Sequence, residues 1–261
     1  IDPPALKNSV GHLMDRVPVN VAISPNGKLI AWSFVGYECD STIDCGIRTA
    51  TGYTDASGPT PVSKYGSTFF SNPSWAGNSR TIQSGGFGSQ VMLHDPGQGD
   101  PVHWFDDGDY AEYSTDLADS ELSTDGSRLA AVRGYGSDTQ LFTYDVSGNA
   151  RSGPPPAVPS PKCMTGTEEG IAGPTWSPDG RHLAWQANDG IWTGDMSDCG
   201  NADLKLVIAG GSEPDWGPAT NDPGPGGVRL PFASLGRALK KGLAIDFIST
   251  GKAAVRFKVK M

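Results

Sequence analysis

A run of acidic residues in the middle of the chain is the stretch with the clearest potential for chemistry. Clustered carboxylate oxygens are the ligands that hard cations such as calcium need, so Asp106, Asp107 and Asp109 are candidate calcium ligands. The order of residues from 107 to 112 does not match the twelve-residue calcium loop. A pair of carboxylates roughly 5 to 9.5 Å apart could instead hydrolyse a glycoside, and a solvated acidic loop is the third interpretation. The run contains Asp106, Asp107, Asp109, Glu112, Asp116, Asp119 and Glu121.

Other catalytic motifs are missing from the sequence. The Gly-x-Ser-x-Gly pattern of serine hydrolases does not occur, and none of the four histidines has a second His at metal-ligand spacing. We interpret the histidines as polar strand positions. Aromatic residues beside the acidic run, including Trp104 and Tyr110, suit either carbohydrate recognition or packing between sheets.

A repeated motif indicates which elements position these residues. Its clearest copy, at 174–185, reads Pro-Thr-Trp-Ser-Pro-Asp-Gly-Arg-His-Leu-Ala-Trp. It combines a short β-prone run, a turn in which Asp and Gly tolerate positive φ, and an apolar run typical of a covered strand. The motif recurs around Ile23 and Leu122, and in looser form around Trp75 and Trp216.

The spacing of the copies predicts the fold. Aligned on the Trp176 position, they lie 52, 47, 54 and 40 residues apart, and a period of roughly 40 to 50 residues with four short strands is typical of a β-propeller blade. The Trp-Ser-Pro-Asp-Gly-x-x-Leu-Ala-Trp pattern resembles the repeat of TolB-like propellers of the secreted bacterial type, over about residues 10–217. We therefore predict an all-β propeller with four nearly complete four-stranded blades and a fifth inner strand.

The number of blades stays open at this point, and one blade is expected to be irregular. Either the ring has five irregular blades, or blades that precede this chain in a larger ring are absent. A proline-rich connector at 153–161 is expected to replace a regular outer strand in the third blade, because Pro lacks the donor that a central strand needs.

The repeat alignment also predicts the core and the central channel. The five anchor residues, Ile23, Trp75, Leu122, Trp176 and Trp216, are expected to pack between adjacent blades. Strand alternation would then turn the residues three positions earlier toward the channel. These channel positions are Asn20, Asn72, Asp119, Gly173 and Glu213. The family resemblance implies acidic residues there, which Asp119 and Glu213 supply, and we expect at most weak calcium binding.

Charge divides the chain into regions. The net charge of −9 disfavours nucleic acid and anionic membranes as partners of the whole chain, and no apolar run is long enough to span a membrane. Residues 228–261 hold eight Lys or Arg and one acidic residue, which leaves 12 minus 28, or −16, for residues 1–227. We predict a propeller at 1–217, a Pro/Gly linker at 218–230, and the start of a small β-sandwich-like segment at 231–261.

Four cysteines allow three pairings. We favour Cys39–Cys45 and Cys163–Cys199 over four free thiols, since neither Cys39 nor Cys45 has neighbours that would complete a zinc site. Two disulfides would indicate an oxidising, extracytoplasmic compartment: extracellular, cell-surface or periplasmic.

The sequence therefore supports two main hypotheses. The first is a secreted, non-enzymatic propeller that binds a protein, peptide or glycan, or acts as a scaffold. The alternative is an extracellular glycan-active hydrolase, or an accessory domain of one, that uses carboxylates within 106–121. A purely structural surface module is a third class.

Overall fold

The protein is described from a computed structural model. Its chain divides into two compact units, Ile1–Gly217 and Pro218–Met261, which are treated separately. The structure describes residues 16–39, 45–57, 70–85, 90–106, 117–134, 137–217, 227–229 and 246–248.

The first unit consists of four antiparallel sheets in which strands that are consecutive in the chain pair with each other. The sheets are the blades of a four-bladed β-propeller, which confirms the predicted fold class. Blade 1 has three strands, β1 (Arg16–Ile23), β2 (Leu29–Cys39) and β3 (Cys45–Asp55). Blades 2 to 4 have four strands each. Blade 2 contains β4 (Phe70–Trp75), β5 (Thr81–Gly85), β6 (Gln90–His94) and β7 (Val102–Phe105), and blade 3 contains β8 (Leu117–Leu122), β9 (Arg128–Arg133), β10 (Gln140–Asp145) and β11 (Ser160–Met164). Blade 4 contains β12 (Ala172–Trp176), β13 (His182–Ala187), β14 (Gly190–Asp195) and β15 (Lys205–Ala209).

The repeated turn between the first two strands explains the residue types of the motif. In blade 4, Asp179 Oδ1 accepts hydrogen bonds from Ser177 Oγ at 2.5 Å and from the Arg181 N–H at 3.0 Å. Ser177 Oγ accepts the His182 N–H at 2.9 Å. Gly180 completes the turn at φ +67°, which glycine adopts without steric cost. Corresponding bonds hold the turns of blades 3 and 1 through Ser123, Asp125, Ser127, Arg128, Ser24, Asn26, Lys28 and Leu29.

Apolar side chains pack between blades 2 and 3 and between blades 3 and 4. Leu122 is 6% exposed and Trp176 3% exposed in these two cores. The Trp176 indole Nε1–H donates to the Glu121 carbonyl of the preceding blade at 3.1 Å. In the same way, the Trp75 indole donates to the Ala22 carbonyl of blade 1 at 2.9 Å. Each anchor tryptophan therefore docks backward onto the blade before it.

The interface between blades 1 and 2 contains a buried polar network. The Tyr53 hydroxyl lies 2.6 Å from Thr81 Oγ1 and 2.8 Å from His94 Nδ1, and it accepts a hydrogen bond from Gln83 Nε2. Because His94 Nε2 contacts the Gly99 carbonyl at 2.9 Å, that nitrogen carries the proton and Nδ1 accepts from Tyr53. Burial lowers the pKa of His94. The ring is accordingly neutral and structural.

One predicted core position is wrong. Ile23 is 63% exposed, although the equivalent residues Leu122 and Trp176 are buried. The physical reason is that the later anchors Leu122 and Trp176 pack on the blade before them, whereas within the described residues no blade precedes β1. Trp216 is half-buried on blade 4, where its backbone N–H donates to Thr175 Oγ1 at 3.1 Å. Residues 210–217 pair in no sheet.

The third blade also differs from expectation at its outer edge. An outer strand, β11, begins within the last residues of the proline-rich connector and pairs with β10. Pro161 is accommodated because β11 is an edge strand, and the register shifts beside it, between Thr143 and Tyr144. The connector itself packs against blade 2, where its Ala157 carbonyl accepts the Trp104 indole N–H at 3.3 Å.

A disulfide joins Cys163 to Cys199, as predicted. Cys163 lies on β11 of blade 3, and Cys199 begins a short 3-10 helix, Cys199–Asn201, between β14 and β15 of blade 4. The bond therefore links neighbouring blades at their outer edge. For the second predicted pair, the ladder places Cys39 opposite Cys45, but the side chains of both lie outside the described residues, so that bond stays a prediction.

In the second unit, β16 (Gly227–Arg229) pairs antiparallel with β17 (Asp246–Ile248). β16 falls within the predicted linker. The rest of the predicted β-sandwich-like segment at 231–261 lies outside the described residues, so that segment stays a prediction.

Candidate binding site

Three of the predicted channel positions meet in the structure. The Asp119 carboxylate accepts hydrogen bonds from the Asn72 side-chain amide and, at 3.1 Å, from the Gly173 N–H. The Asn72 N–H donates to Ser33 Oγ of blade 1 at 3.3 Å. One polar network thus passes through the inner part of all four blades, and Asp119 is its centre.

The backbone at these positions is left-handed. Asn72, Asp119, Gly173 and Glu213 have φ between +44° and +53°, and the ladders of β4, β8 and β12 shift register at the same points. Asn, Asp and Gly tolerate this conformation better than other residues. Their presence in the repeat is therefore explained by backbone geometry, and the simple alternation of strand faces does not hold at these bulges.

The other two channel positions lie apart from this network. Asn20 is exposed, and its Oδ1 accepts the N–H of Val21 at 2.6 Å. Glu213 is exposed, and its N–H donates to Gln186 Oε1 at 3.0 Å.

Cation binding was predicted at two places. Within the described ranges, no group of three His, Cys, Asp or Glu side chains is arranged to hold a metal ion. Each oxygen of the Asp119 carboxylate accepts one hydrogen bond, and weak calcium binding in the channel stays a prediction. Asp106 accepts a bond from Gln90 Nε2 at 3.1 Å and pairs with His103 Nε2 at 3.4 Å. Asp107 and Asp109 lie outside the described residues, and calcium binding there stays a prediction.

Glu121 is a carboxyl group locked between blades 3 and 4. Its Oε1 accepts the Trp176 N–H at 2.9 Å and the Thr175 hydroxyl at 3.1 Å. Burial raises its pKa to about 7, because the two hydrogen bonds, which favour the ionised form, only partly offset the loss of solvation. The nearby negative charge of Asp215 raises this pKa further.

This raised pKa predicts that the contribution of Glu121 to the stability of the fold decreases as the pH rises. Between pH 4.5, the ordinary value, and about 7 the folded protein holds the Glu121 proton more tightly than the unfolded chain does. The contribution of this group to the free energy of unfolding should therefore fall as pH rises through that window, by about 3 kcal/mol in total. Chemical denaturation from pH 4.5 to 8, compared with a Glu121→Gln variant that never ionises, measures it.

Glu169→Gln, at an exposed position, is the matched control and should follow the wild-type pH profile. A wild-type profile that stays parallel to that of Glu121→Gln would contradict the assigned pKa.

A polar groove lies on the turn side of the propeller between blades 3 and 4. Its volume is about 360 Å³, within the usual range of ligand sites, roughly 300 to 1,000 Å³. The repeated turns form it, since equivalent residues of consecutive blades come side by side. The groove is lined by Asp125, Ser127, Arg128, Asp179, Gly180, Arg181 and Ser197.

The charged groups of this groove are held in fixed positions. Arg181 donates from Nε and Nη2 to Asp195 Oδ2 at 2.8 and 2.6 Å, and Arg128 Nη1 donates to the Gly180 carbonyl at 3.1 Å. Turn hydrogen bonds lower the pKa of Asp125 and of Asp179. At neutral pH, the groove therefore presents two carboxylates and two guanidinium groups whose geometry is set before a ligand arrives.

Sequence reasoning missed this groove. The necessary signal was present in the repeat, because the motif places an Asp or Asn at the same turn position in blades 1, 3 and 4. What the sequence did not show is that Arg128 and Arg181, which occupy different positions of the repeat, reach the same groove.

Comparisons with protein-family models and with curated proteins found no match. Several solved structures resemble it at low identity. An oligogalacturonate lyase in complex with manganese is 9% identical, with a TM-score of 0.49 over 76% of this chain and 55% of the lyase.

Two further structures have a similar level of likeness. The β-propeller domain of Cps50 (Swd1) from Myceliophteria thermophila is 13% identical, with a TM-score of 0.44 over 75% of this chain and 71% of that domain. A chain of a nidogen/laminin complex is 10% identical, with a TM-score of 0.47 over 73% of this chain and 66% of that one. The chain thus spans little more than half of the lyase, and these proteins include both an enzyme and a binding protein.

Proposed function

We propose that this protein is a non-enzymatic propeller of the TolB-like, secreted type that binds a polar segment of a protein, peptide or glycan. The ligand lies in the turn-side groove between blades 3 and 4. The observation that carries this proposal is the preset array of Asp125, Asp179, Arg128 and Arg181 around a cavity of about 360 Å³.

Ligand chemistry follows from the groove lining. The carboxylates and guanidinium groups of the groove together match a ligand that offers both hydrogen-bond donors and acceptors, such as a peptide backbone or sugar hydroxyls. A polyanion is disfavoured, because two carboxylates line the groove and the whole chain carries a net charge of −9. Nucleic acid is accordingly not the proposed partner.

The Cys163–Cys199 disulfide supports an extracytoplasmic location, since such bonds persist in oxidising compartments. In the portion of the chain that the structure describes, no helix is long and apolar enough to cross a membrane.

A binding experiment on glycan and peptide arrays tests the proposal. The wild-type protein is expected to bind a defined set of neutral or zwitterionic ligands. Arg181→Ala removes a charge from the groove wall and should weaken binding of the best ligand at least tenfold, as measured by calorimetry. The matched control is Lys205→Ala, which removes an equally exposed cation outside the groove and should leave affinity unchanged. Equal affinity of the Arg181 variant and the wild type would refute the groove assignment.

A glycan-active hydrolase is the second candidate function, and one observation favours it. Glu121 lies within the acidic run at 106–121, and its pKa of about 7 suits a general acid at neutral pH. Release of reducing sugar from an extracellular polysaccharide, abolished by Glu121→Gln, Asp109→Asn or Asp119→Asn, would establish this activity in place of the binding role.

A further inference from the structure

A second pocket lies between blade 2 and the proline-rich connector. Arg80 of the β4–β5 turn, Asp95 and Asp100 of the loop between β6 and β7, and residues 153–155 of the connector line it. The turns after the first and third strands of an antiparallel sheet lie at the same end of that sheet. This cavity, the blade 2 pocket, is therefore on the same turn side of the propeller as the groove.

Arg80 forms one wall of the pocket and has almost no donor left for a ligand. It is 5% exposed, and its Nε and Nη2 donate to the two oxygens of Asp95 at 2.6 and 2.7 Å. Nη2 also donates to the Gly153 carbonyl at 2.8 Å, and Nη1 donates to the Ala150 carbonyl at 3.4 Å. These bonds use four of the five N–H groups of the guanidinium, so Arg80 is unsuited to holding an anion.

Carboxylate oxygens are the charged groups that the pocket offers to a ligand. Hydrogen bonding to Arg80 lowers the pKa of Asp95, and each Asp95 oxygen accepts one bond from Arg80, which leaves room for a second. Asp100 is exposed and makes no hydrogen bond or ion pair within the described residues. Both ring nitrogens of His94 are already engaged. Because Arg80 neutralises Asp95, one negative charge remains, and the pocket favours a cation that donates hydrogen bonds.

The size and the apolar wall of the pocket suit a single side chain. Its volume is about 250 Å³, below the usual range of sites for a whole ligand, roughly 300 to 1,000 Å³. Val102, which is 53% exposed, and Pro154 and Pro155 give it an apolar wall. Lysine and arginine combine an alkyl stem that packs on such a wall with a charged end that stays in polar surroundings.

We propose that the blade 2 pocket is a second binding site, which takes a lysine or arginine side chain of an extended protein segment. The alkyl stem lies against Val102 and the two prolines, and the charged end donates to Asp100 and Asp95. The net charge of −16 on residues 1–227 attracts a basic partner toward this face.

The connector places this pocket next to the turn-side groove. Arg151 donates to the Thr124 carbonyl, and the residue after Thr124 is Asp125, which lines the groove. Two residues after Arg151, Gly153 accepts a bond from Arg80 in the pocket. A peptide in the groove could therefore place a neighbouring basic residue in the pocket. This link rests on the proposed function, whereas the pocket itself does not.

A peptide array in which each lysine peptide has an acetyl-lysine copy tests the pocket, because acetylation removes only the charge. The wild type should bind the best lysine peptide about tenfold more tightly than its copy, measured by calorimetry. Asp100→Asn should bring that ratio close to one while the far-ultraviolet circular dichroism stays unchanged. Asp138→Asn, at an exposed position between β9 and β10, is the matched control and should keep the ratio.

Three outcomes would overturn the proposal: no lysine peptide binds, the wild type binds both copies equally, or Asp100→Asn leaves the ratio unchanged. Arg181→Ala separates this site from the groove. If that variant binds as tightly as the wild type and keeps the preference for lysine, the groove assignment fails and the pocket stands. If it binds more weakly but keeps the preference, both sites are supported.

Discussion

Replacement of Trp176 by alanine is expected to lower the free energy of unfolding by about 3 to 5 kcal/mol. The indole lies 3% exposed in the core between blades 3 and 4, so its removal leaves a cavity that the two sheets cannot easily fill. The substitution also removes the donor to the Glu121 carbonyl. Urea denaturation followed by circular dichroism measures the loss.

Two variants separate these contributions. Trp176→Phe keeps most of the ring but not the donor, and should cost about 1 to 2 kcal/mol. Trp192→Ala removes a half-buried tryptophan whose indole bonds to the exposed Asp189, and should cost less than half as much as Trp176→Ala. A loss below about 1 kcal/mol for Trp176→Ala would mean that the repeat alignment is wrong.

Loss of the Cys163–Cys199 disulfide is the second large effect. The two Cα atoms lie 5.3 Å apart and the cysteines are separated by 36 residues. Closing a loop of this length restricts the unfolded chain, so the Cys163→Ser, Cys199→Ser double variant should lose about 3 to 4 kcal/mol. Denaturation of the oxidised wild type and the variant under the same conditions gives the difference.

The bond lies between blades 3 and 4, and so its loss should also change local motion. Hydrogen exchange is expected to accelerate at β11 and in the 3-10 helix, and to stay unchanged in blade 1, which serves as the internal control. Peptide mapping without reductant that recovers a free Cys163 thiol would show that the disulfide is absent. The main support for an extracytoplasmic location would then be lost.

The repeat was readable from sequence because its turn requires particular residues. Ser177, Asp179 and Gly180 each satisfy a specific backbone demand of the turn, and their counterparts recur with the same chemistry. Because these interactions join residues only a few positions apart, they leave a recognisable residue pattern in the sequence. The recurrence of that pattern gives the strand order and the blade period. The fold could therefore be predicted.

The site could not be predicted to the same degree. Asn72, Asp119 and Gly173 were placed together by the alignment, but their shared left-handed backbone was not foreseen, since a bulge adds no distinctive residue beyond Asn, Asp or Gly. Burial of Glu121 depends on Thr175 and Trp176, which are more than 50 residues away. Exposure of Ile23 depends on a neighbouring blade, and the repeat pattern carries no information about that neighbour.

The backward docking of the anchors has a consequence for the order of folding. Trp75 bonds to a carbonyl of blade 1, and Trp176 to a carbonyl of blade 3, so each anchor meets a sheet that was synthesised before it. Within a blade, strands pair with their immediate neighbours in the chain, which keeps loop-closure costs small. Blades can therefore form in succession from the N-terminal end of the chain, because each blade presents the surface on which the next one packs.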